Sequence, residues 1–212
     1  MPTTRSYGDA CGIARALDVV GERWALLVVR ELLLGPQRFL DLRRALPGAS
    51  SNLLTDRLRE LEAREVIRRR RLEPPAGSWV YELTGWGREL EPILLALGGW
   101  GLRVPRPDGA GLNATSVMIF LRGAGRPDPA QPPTQYRIEL ADTVWTVRAE
   151  DGAMHVSRGE PGEPAAGLST DPVTLNVLFE DPDTLAERVA AGAVRTSGDL
   201  DALDRLLRST AA

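Results

Sequence analysis

Two neighbouring stretches hold the residues whose types and spacing could do chemistry: a polar helix pattern that begins at Ser50 and four consecutive arginines after it. Stepping along a helix at about 100° per residue places one polar set on a single face. That set is Asn52, Thr55, Asp56 and Arg59. The opposite face is apolar and comprises Leu54, Leu58 and Leu61. A helix over about 50–64, with Ser50 as N-cap, therefore presents groups suited to base edges, because Asn pairs with adenine, Arg with guanine, and Thr contacts the thymine methyl.

The arginines Arg68 to Arg71 lie in a stretch with a different period. β-prone residues flank a turn region at 73–77, which predicts a β-hairpin over about 66–83. Side chains alternate along a strand, so Arg69 and Arg71 share one face, Arg68 and Arg70 share the other, and all four cannot pack inward. An isolated arginine cluster is by default a solvated surface. After a helix pair, however, a basic hairpin indicates a winged helix-turn-helix, with the helix in the major groove and the wing on phosphates.

The composition of the 212 residues is that of a soluble globular protein, with 43% apolar and 26% charged residues. No apolar run reaches the roughly 18 residues that a membrane span needs, and the start MPTTRSYGDA lacks the apolar segment of a signal peptide. We therefore expect a cytoplasmic protein without a membrane partner. Residues 1–105 carry 16 Arg against 13 acidic residues, whereas the remainder carries 10 Arg against 16. Any polyanionic partner is expected to contact the first part.

Few residues are suited to catalysis, since the chain has one histidine, His155, and one cysteine, Cys11. It has no G-x-S-x-G motif, no phosphate-binding glycine loop and no metal-ligand spacing. We expect no catalytic residue, no metal site and no cofactor, and we interpret His155 as structural.

A stretch rich in Pro and Gly at 103–114 predicts a linker between two domains, 1–102 and 115–212. Three helical patterns precede the polar helix. They run from Asp9, the expected N-cap, to Gly21, then across the apolar stretch 23–36 and across 38–48. The first domain is therefore expected to be mainly α, with the hairpin as its wing.

A resemblance to the HxlR-type family of bacterial winged helix-turn-helix regulators is carried by CGIARALDVVGERWALLVVRELLLGPQRFLDLRRAL, LLTDRLRELE and YELTGWGREL. It extends from Cys11 to about Trp100. The resemblance implies a homodimer, built from helices at 10–20 and 89–100, that binds a pseudo-palindromic operator in double-stranded DNA. The residues expected to contact DNA are Arg38, Ser50, Ser51, Asn52, Thr55, Asp56, Arg59, Arg69 and Arg71.

Two positions depart from the family pattern. Cys11 is followed by Gly12, where the family usually has Pro, and Glu65 follows the recognition helix, where the family commonly has Gly. A left-handed C-cap at a non-glycine residue costs about 1 kcal/mol, so the corner between helix and wing is expected to differ. Some members use the equivalent of Cys11 as an oxidant sensor that acts through its thiolate; the alternative is an inert core residue.

The second half has β-prone runs followed by helices. The runs at 114–123, 135–142, 144–151 and 153–161 predict an antiparallel meander. Helical patterns follow at 171–179, 181–194 and, after a turn, in 195–208. The order resembles the sterol carrier protein-like α+β domain, on LSTDPVTLNVLF and AAGAVRTSGDLDALDRLL. The resemblance implies an apolar cavity, and six residues either line it or form an ordinary core: Met118, Phe120, Trp145, Leu175, Leu178 and Phe179.

Two functions remain open. One is a dimeric DNA-binding transcriptional regulator whose C-terminal domain binds an apolar effector. The other is a carrier of lipids or other apolar small molecules, in which the winged helix serves dimerisation only. A steep loss of DNA affinity with rising salt would distinguish the first from the second.

Overall fold

The computed structural model describes residues 6–73, 77–105, 107 and 109–210. Pro74, Pro75 and Ala76 of the expected wing turn lie outside the described residues, as do positions 106 and 108 of the expected linker. The chain divides into two units, Met1–Pro105 and Arg106–Ala212.

Within its described residues, the first unit contains six helices and a two-stranded hairpin. Its elements are α1 (Gly12–Val20), α2 (Ala25–Leu32), α3 (Phe39–Ala45), α4 (Ser51–Ala63), β1 (Ile67–Arg71), β2 (Trp79–Leu83), α5 (Gly85–Arg88) and α6 (Leu90–Gly101). Helix α2 is central, since it contacts α3, α4, α6 and β2, and its Val28 and Val29 are fully buried. Gln37 adds an isolated bridge to Tyr81 of β2. This arrangement is a winged helix-turn-helix, as the sequence predicted.

Helix α4 packs on the core through the predicted leucine stripe. Leu54, Leu58 and Leu61 are at most 1% exposed and join a cluster that includes residues of α2 and the wing base. Burying a leucine side chain contributes about 1.5 to 3 kcal/mol, so this stripe fixes which face of α4 turns outward. Ser50 is the N-cap, as expected, and its hydroxyl accepts a hydrogen bond from the Leu53 N–H at 3.3 Å.

The start of α1 differs from the prediction that Asp9 is its N-cap. The cap is Cys11, whose Sγ accepts a hydrogen bond from the Ala14 N–H at 3.4 Å. The Asp9 carboxylate instead accepts from the Cys11 N–H at 2.9 Å. Asp side chains readily bond the backbone two residues ahead, and this local turn delays the helix until Gly12.

The corner between α4 and the wing is left-handed at Glu65, where φ is +58°. Two backbone bonds close it, from the Val66 N–H to the Leu61 carbonyl and from the Glu65 N–H to the Glu62 carbonyl, each at 3.0 Å. This pair is the Schellman pattern, which usually has Gly at the left-handed position. The Thr84 hydroxyl also donates to the Glu65 carbonyl at 2.6 Å. The corner therefore keeps the left-handed backbone despite carrying a side chain.

The second unit contains helices and a five-stranded sheet. Its elements are α7 (Ala114–Ala124), β3 (Thr134–Leu140), β4 (Thr143–Glu150), β5 (Ala153–Arg158), β6 (Ala166–Thr170), α8 (Pro172–Glu180), a 3₁₀ turn (Pro182–Thr184), α9 (Leu185–Ala190), β7 (Arg195–Gly198) and α10 (Leu200–Arg208). The strand order is β5-β4-β3-β6-β7. Strands β3, β4 and β5 form the antiparallel meander that the sequence predicted.

Two expectations for this unit were wrong. Residues 114–123 form a helix and not a strand, because Asn113 caps it by accepting from the Ser116 N–H at 3.1 Å and its buried residues recur with a helical period. The sheet is also not purely antiparallel, since β6 pairs parallel to β3. Strands β6 and β7 were missed because each is short and lacks an alternating apolar pattern.

Replacing Glu65 by Gly is expected to raise the free energy of unfolding by about 1 kcal/mol, because glycine adopts positive φ without the steric cost of a Cβ. Urea denaturation of the two proteins measures the difference. Arg64→Gly is the matched control: Arg64 is also exposed but has a φ of −94°, so its replacement should lower stability. A Glu65→Gly variant no more stable than the parent would contradict strain at this corner.

Candidate nucleic-acid interface

The outward face of α4 carries the polar residues that the sequence predicted for it. Asn52, Asp56 and Arg59 are exposed, and Thr55 is half-buried with its hydroxyl donating to the Ser51 carbonyl at 2.8 Å. Arg59 lies 3.8 Å from Asp56 in a solvent-exposed ion pair. Such pairs contribute little to stability, so the Arg59 guanidinium can leave Asp56 and bind another acceptor at little cost in free energy.

The N-terminal end of α4 is lined by a residue that sequence reasoning missed. The Arg43 guanidinium, from α3, donates to the Ser51 hydroxyl. Ser50 and Arg38 are exposed nearby in sequence, and Arg38 precedes α3, where its N–H donates to the Asp41 carboxylate at 3.2 Å. Its approach to Ser51 depends on how α3 and α4 are placed relative to each other, which the pattern of either helix alone does not determine.

The wing arginines divide into two pairs with different surroundings. In the hairpin register, Arg68 lies opposite Glu82 and Arg70 opposite Val80, while Arg69 lies opposite Tyr81. The Arg68 and Arg70 guanidiniums donate to the Glu82 carboxylate at 2.6 and 2.7 Å. These two arginines are therefore neutralised in part within the protein.

Glu82 is 6% exposed, so it is a buried carboxylate held by two cations. Burial raises the pKa of Glu82, but the hydrogen bonds from Arg70 and Arg68 outweigh that effect and hold it below its usual value. Glu82 is thus ionised in the folded protein. Because the pKa of Glu82 is lowered, its ion pairs with Arg68 and Arg70 stabilise the fold at pH values above the ordinary glutamate pKa. This stabilisation is lost as the pH falls through the lowered pKa.

The other two wing arginines have no carboxylate on their guanidiniums among the residues described. The Arg69 guanidinium lies 4.6 Å from the Trp79 ring centroid and 5.9 Å from that of Tyr81. The Arg71 Nε donates to the Gly77 carbonyl at 2.9 Å. Their charge is available to an anionic partner, and the assignment of Arg69 and Arg71 as DNA contacts stays a prediction.

A second arginine on α4 faces inward. Arg57 is 7% exposed, its guanidinium donates to the Glu60 carboxylate, and a second nitrogen lies 3.9 Å from Glu22. It belongs to the support of the recognition helix and not to its outward face. Nothing in the leucine spacing distinguished it, because a buried arginine depends on distant acids.

Helices α1 and α6 present apolar side chains to solvent. Every residue of α6 is at least partly exposed, with Ile93 at 55% and Trp100 at 66%. On α1, Ile13 is 74% exposed. A cavity of about 580 Å³ lies beside these side chains and is lined by α1, α5, α6 and the α4–β1 corner. Cys11 is exposed at the start of α1, where its Sγ acts as the cap acceptor.

The six candidate pocket residues of the second unit are mostly core. Met118, Trp145, Leu175 and Leu178 are fully buried and Phe179 is 4% exposed, whereas Phe120 is 43% exposed with its ring centroid 6.1 Å from that of Phe179. None of the six lines the cavity of about 260 Å³ in this unit, which lies between residues 126–136 and the end of α10. His155 is exposed and lies opposite Arg148 in the sheet.

No described helix combines the length and the apolar composition of a membrane span. Within 6–73, 77–105, 107 and 109–210, His, Cys, Asp and Glu form no group of three that could hold a metal ion.

Comparison with known proteins places the first unit in a family. Residues 19–107 match the family model of the HxlR-like helix-turn-helix. The HTH-type transcriptional regulator sll1512 of Synechocystis sp. is 40% identical over 90 residues, which span 42% of this chain and 67% of that protein. YvaP, an HTH-type transcriptional regulator of Bacillus subtilis, is 38% identical over 86 residues, which span 41% of this chain and 80% of that protein.

A solved structure of the redox regulator HypR in its oxidised form is 34% identical and covers 46% of this chain and 100% of its own, with a TM-score of 0.43. On the identity and coverage of the regulators from Synechocystis sp. and Bacillus subtilis, the chain belongs to the HxlR-like helix-turn-helix family of transcriptional regulators.

Proposed function

We propose that this protein is a homodimeric transcriptional regulator that inserts α4 into the major groove of a two-fold related operator and sets its wing on the adjacent backbone. The observation that carries the proposal is the wing, where one buried carboxylate binds Arg68 and Arg70, offsets one of their two charges, and leaves Arg69 and Arg71 for an anion. A solvated charged surface needs no such division. DNA supplies the phosphates that two free arginines require.

The outward residues of α4 supply the sequence readout in this proposal. Asn52 is exposed in the first turn and suits adenine, and Arg59 suits guanine once it leaves its weak pair with Asp56. Ser50, Ser51 and Arg38 lie at the N-terminal ends of α4 and α3, where N–H groups and hydroxyls suit phosphate. We add Arg43 to these phosphate-contacting residues, because its guanidinium already donates a hydrogen bond to Ser51.

A second copy of the chain is the partner that we propose for α1 and α6. A helix such as α6, apolar on most sides and without one buried residue, leaves a patch that monomeric proteins rarely expose. Pairing α1 and α6 with their copies would bury Ile13, Ile93 and Trp100 and set two α4 helices for two successive major grooves.

The second unit is proposed to bind an apolar effector, following its resemblance to sterol carrier protein-like domains. A sheet carrying packed helices suits that class of fold, with α7 against β5 and α10 against β6. Because five of the six candidate residues are close-packed, an effector would have to displace core contacts to enter. The carrier alternative gains no support from this packing. Apolar material that copurifies with the protein would identify an effector and reopen that alternative.

The first experiment measures binding to a labelled fragment from upstream of the protein's own gene, against scrambled DNA, at two salt concentrations. Selective binding that weakens steeply with salt is the expected result, since each phosphate contact contributes about 0.9 to the slope of log affinity against log salt. Binding that ignores both sequence and salt would contradict a DNA-reading role.

Arg71→Ala is expected to weaken binding to every duplex and to reduce the salt slope by about 1, because one phosphate contact is removed. Fluorescence anisotropy across a salt series measures both quantities. Arg148→Ala removes the same charge from the second unit, where Arg148 pairs with Glu150 at 3.0 Å, and should leave the slope unchanged. Equal effects of the two substitutions would show that only net charge matters.

Asn52→Ala is expected to relax sequence preference at one base position per half-site, at a cost of about 1 to 3 kcal/mol on the preferred sequence. Competition between duplexes that differ at single positions measures the preference. An equal loss on every sequence would remove Asn52 from the base-reading group and place it among the phosphate contacts.

Ile93→Glu is expected to convert the dimer to monomer, because a carboxylate would be buried without a partner in the α1–α6 interface. Sedimentation equilibrium measures the association. Val189→Glu, which puts the same charge at a 39% exposed apolar position of α9, should leave the dimer intact. A dimer that survives Ile93→Glu with unchanged affinity would place the interface elsewhere.

A further inference from the structure

One face of the wing combines two arginines with two aromatic rings. The register places Arg71 opposite Trp79 and Arg69 opposite Tyr81, so these four side chains project from the same side of the hairpin. We name them the aromatic–arginine face. Farther along the same side, Ile67 and Leu83 are buried in the core, which anchors the base of the face.

Trp79 is unusual on this face because 51% of it is exposed. A tryptophan normally buries more of its surface, and an exposed indole on a hairpin gives the free protein little stability. It does hold Arg69, whose guanidinium lies 4.6 Å from the Trp79 ring centroid. The planar guanidinium is therefore ordered against the ring, and binding would cost it less side-chain entropy than a free arginine.

The charge on this face has no internal carboxylate partner among the described residues. Glu62 contacts this face, but it accepts from the Arg69 backbone N–H at 3.2 Å and not from the guanidinium. On the opposite side of the hairpin, Glu82 binds both Arg68 and Arg70. The hairpin thus has one side on which Glu82 offsets one of two arginine charges, and one side that is both cationic and apolar.

We propose that Trp79 and Arg69 are specificity-determining residues, which read the width of the minor groove beside the bases contacted by α4. This inference rests on the proposed DNA-binding function and adds to the phosphate contacts assigned to the wing. A phosphate contact needs charge alone and gives no role to an exposed indole. A narrow minor groove complements both side chains: its strongly negative potential attracts the arginine, and its apolar deoxyribose walls accept the indole.

A·T-rich flanks narrow the minor groove, so the wing gives the protein a sequence preference at positions that no side chain reads by hydrogen bonding. Arg69, ordered on Trp79, enters the groove, and the indole packs on a sugar wall. Lysine at position 69 keeps the charge but loses the planar stacking, which separates groove reading from simple attraction to DNA.

The test begins with selection of bound duplexes from a random library by the full-length protein. Two duplexes are then made with the selected core and with either A-tract or G·C flanks at the wing position. The wild-type protein is expected to prefer the A-tract duplex by about tenfold, the discrimination typical of one base pair. Trp79→Ala and Arg69→Lys should each bring this ratio close to 1.

Arg148→Ala is the matched control, because it removes one arginine charge from the second unit without touching the wing, and it should keep the wild-type ratio. Trp79→Phe, which keeps a ring, should retain part of the preference, and thermal unfolding of each variant confirms that the wing is folded.

A wild-type ratio near 1, or an unchanged ratio in Trp79→Ala and Arg69→Lys, would overturn the inference while leaving DNA binding intact. Tighter binding of the wild-type protein to single-stranded DNA than to either duplex would also overturn it. Failure to bind any duplex would overturn the proposed function itself.

Discussion

The distribution of charge on the wing depends on the ion pairs that Arg68 and Arg70 form with Glu82. A hairpin with four consecutive arginines would repel itself along each side if nothing offset the charge. One buried carboxylate offsets it on one side only, because side chains alternate along a strand. Arg69 and Arg71 on the other face keep their full charge. The same ion pairs order the side chains of Arg68 and Arg70, which lie on either side of Arg69 along β1.

Local patterns predicted much of the first unit because its elements are set by local physics. The leucine spacing of 50–64 determines the face that α4 buries, and Ser50 satisfies an N–H that a helix start leaves unpaired. The placement of Arg69 and Arg71 on one face and of Arg68 and Arg70 on the other also follows from alternation along 67–71. Glu65 shows the limit of such reasoning: a non-glycine residue at this position predicted a changed corner, yet the Schellman bonds and the Thr84 hydroxyl hold the left-handed backbone in place. Tertiary contacts there outweigh about 1 kcal/mol of local strain.

Features that depend on distant partners could not be predicted. Glu82 binds arginines 12 and 14 positions away, and the Arg43 guanidinium of α3 donates to Ser51 at the start of α4, eight positions away. In the second unit, residues 114–123 are rich in β-prone side chains, but the Asn113 cap and the packing of Met118 and Leu121 on the core favour a helix. Strand β6 is short, and it forms because the edge of β3 supplies its hydrogen-bonding partners. The intrinsic β-propensity of a segment is a weaker determinant of its structure than such tertiary contacts.

Dimerisation and DNA binding are coupled if α6 is covered by a second copy. A monomer presents one α4 helix and one wing, whereas a dimer presents two of each, and the second contact then forms at a high effective concentration. Operator affinity would then depend on protein concentration around the dimer dissociation constant, and DNA would in turn stabilise the dimer, since linkage is reciprocal. The α1–α6 surface is also where a regulator could act with the least energy. A change of 1.4 kcal/mol in the association of the two chains alters the dimer equilibrium tenfold without touching one residue of the DNA interface.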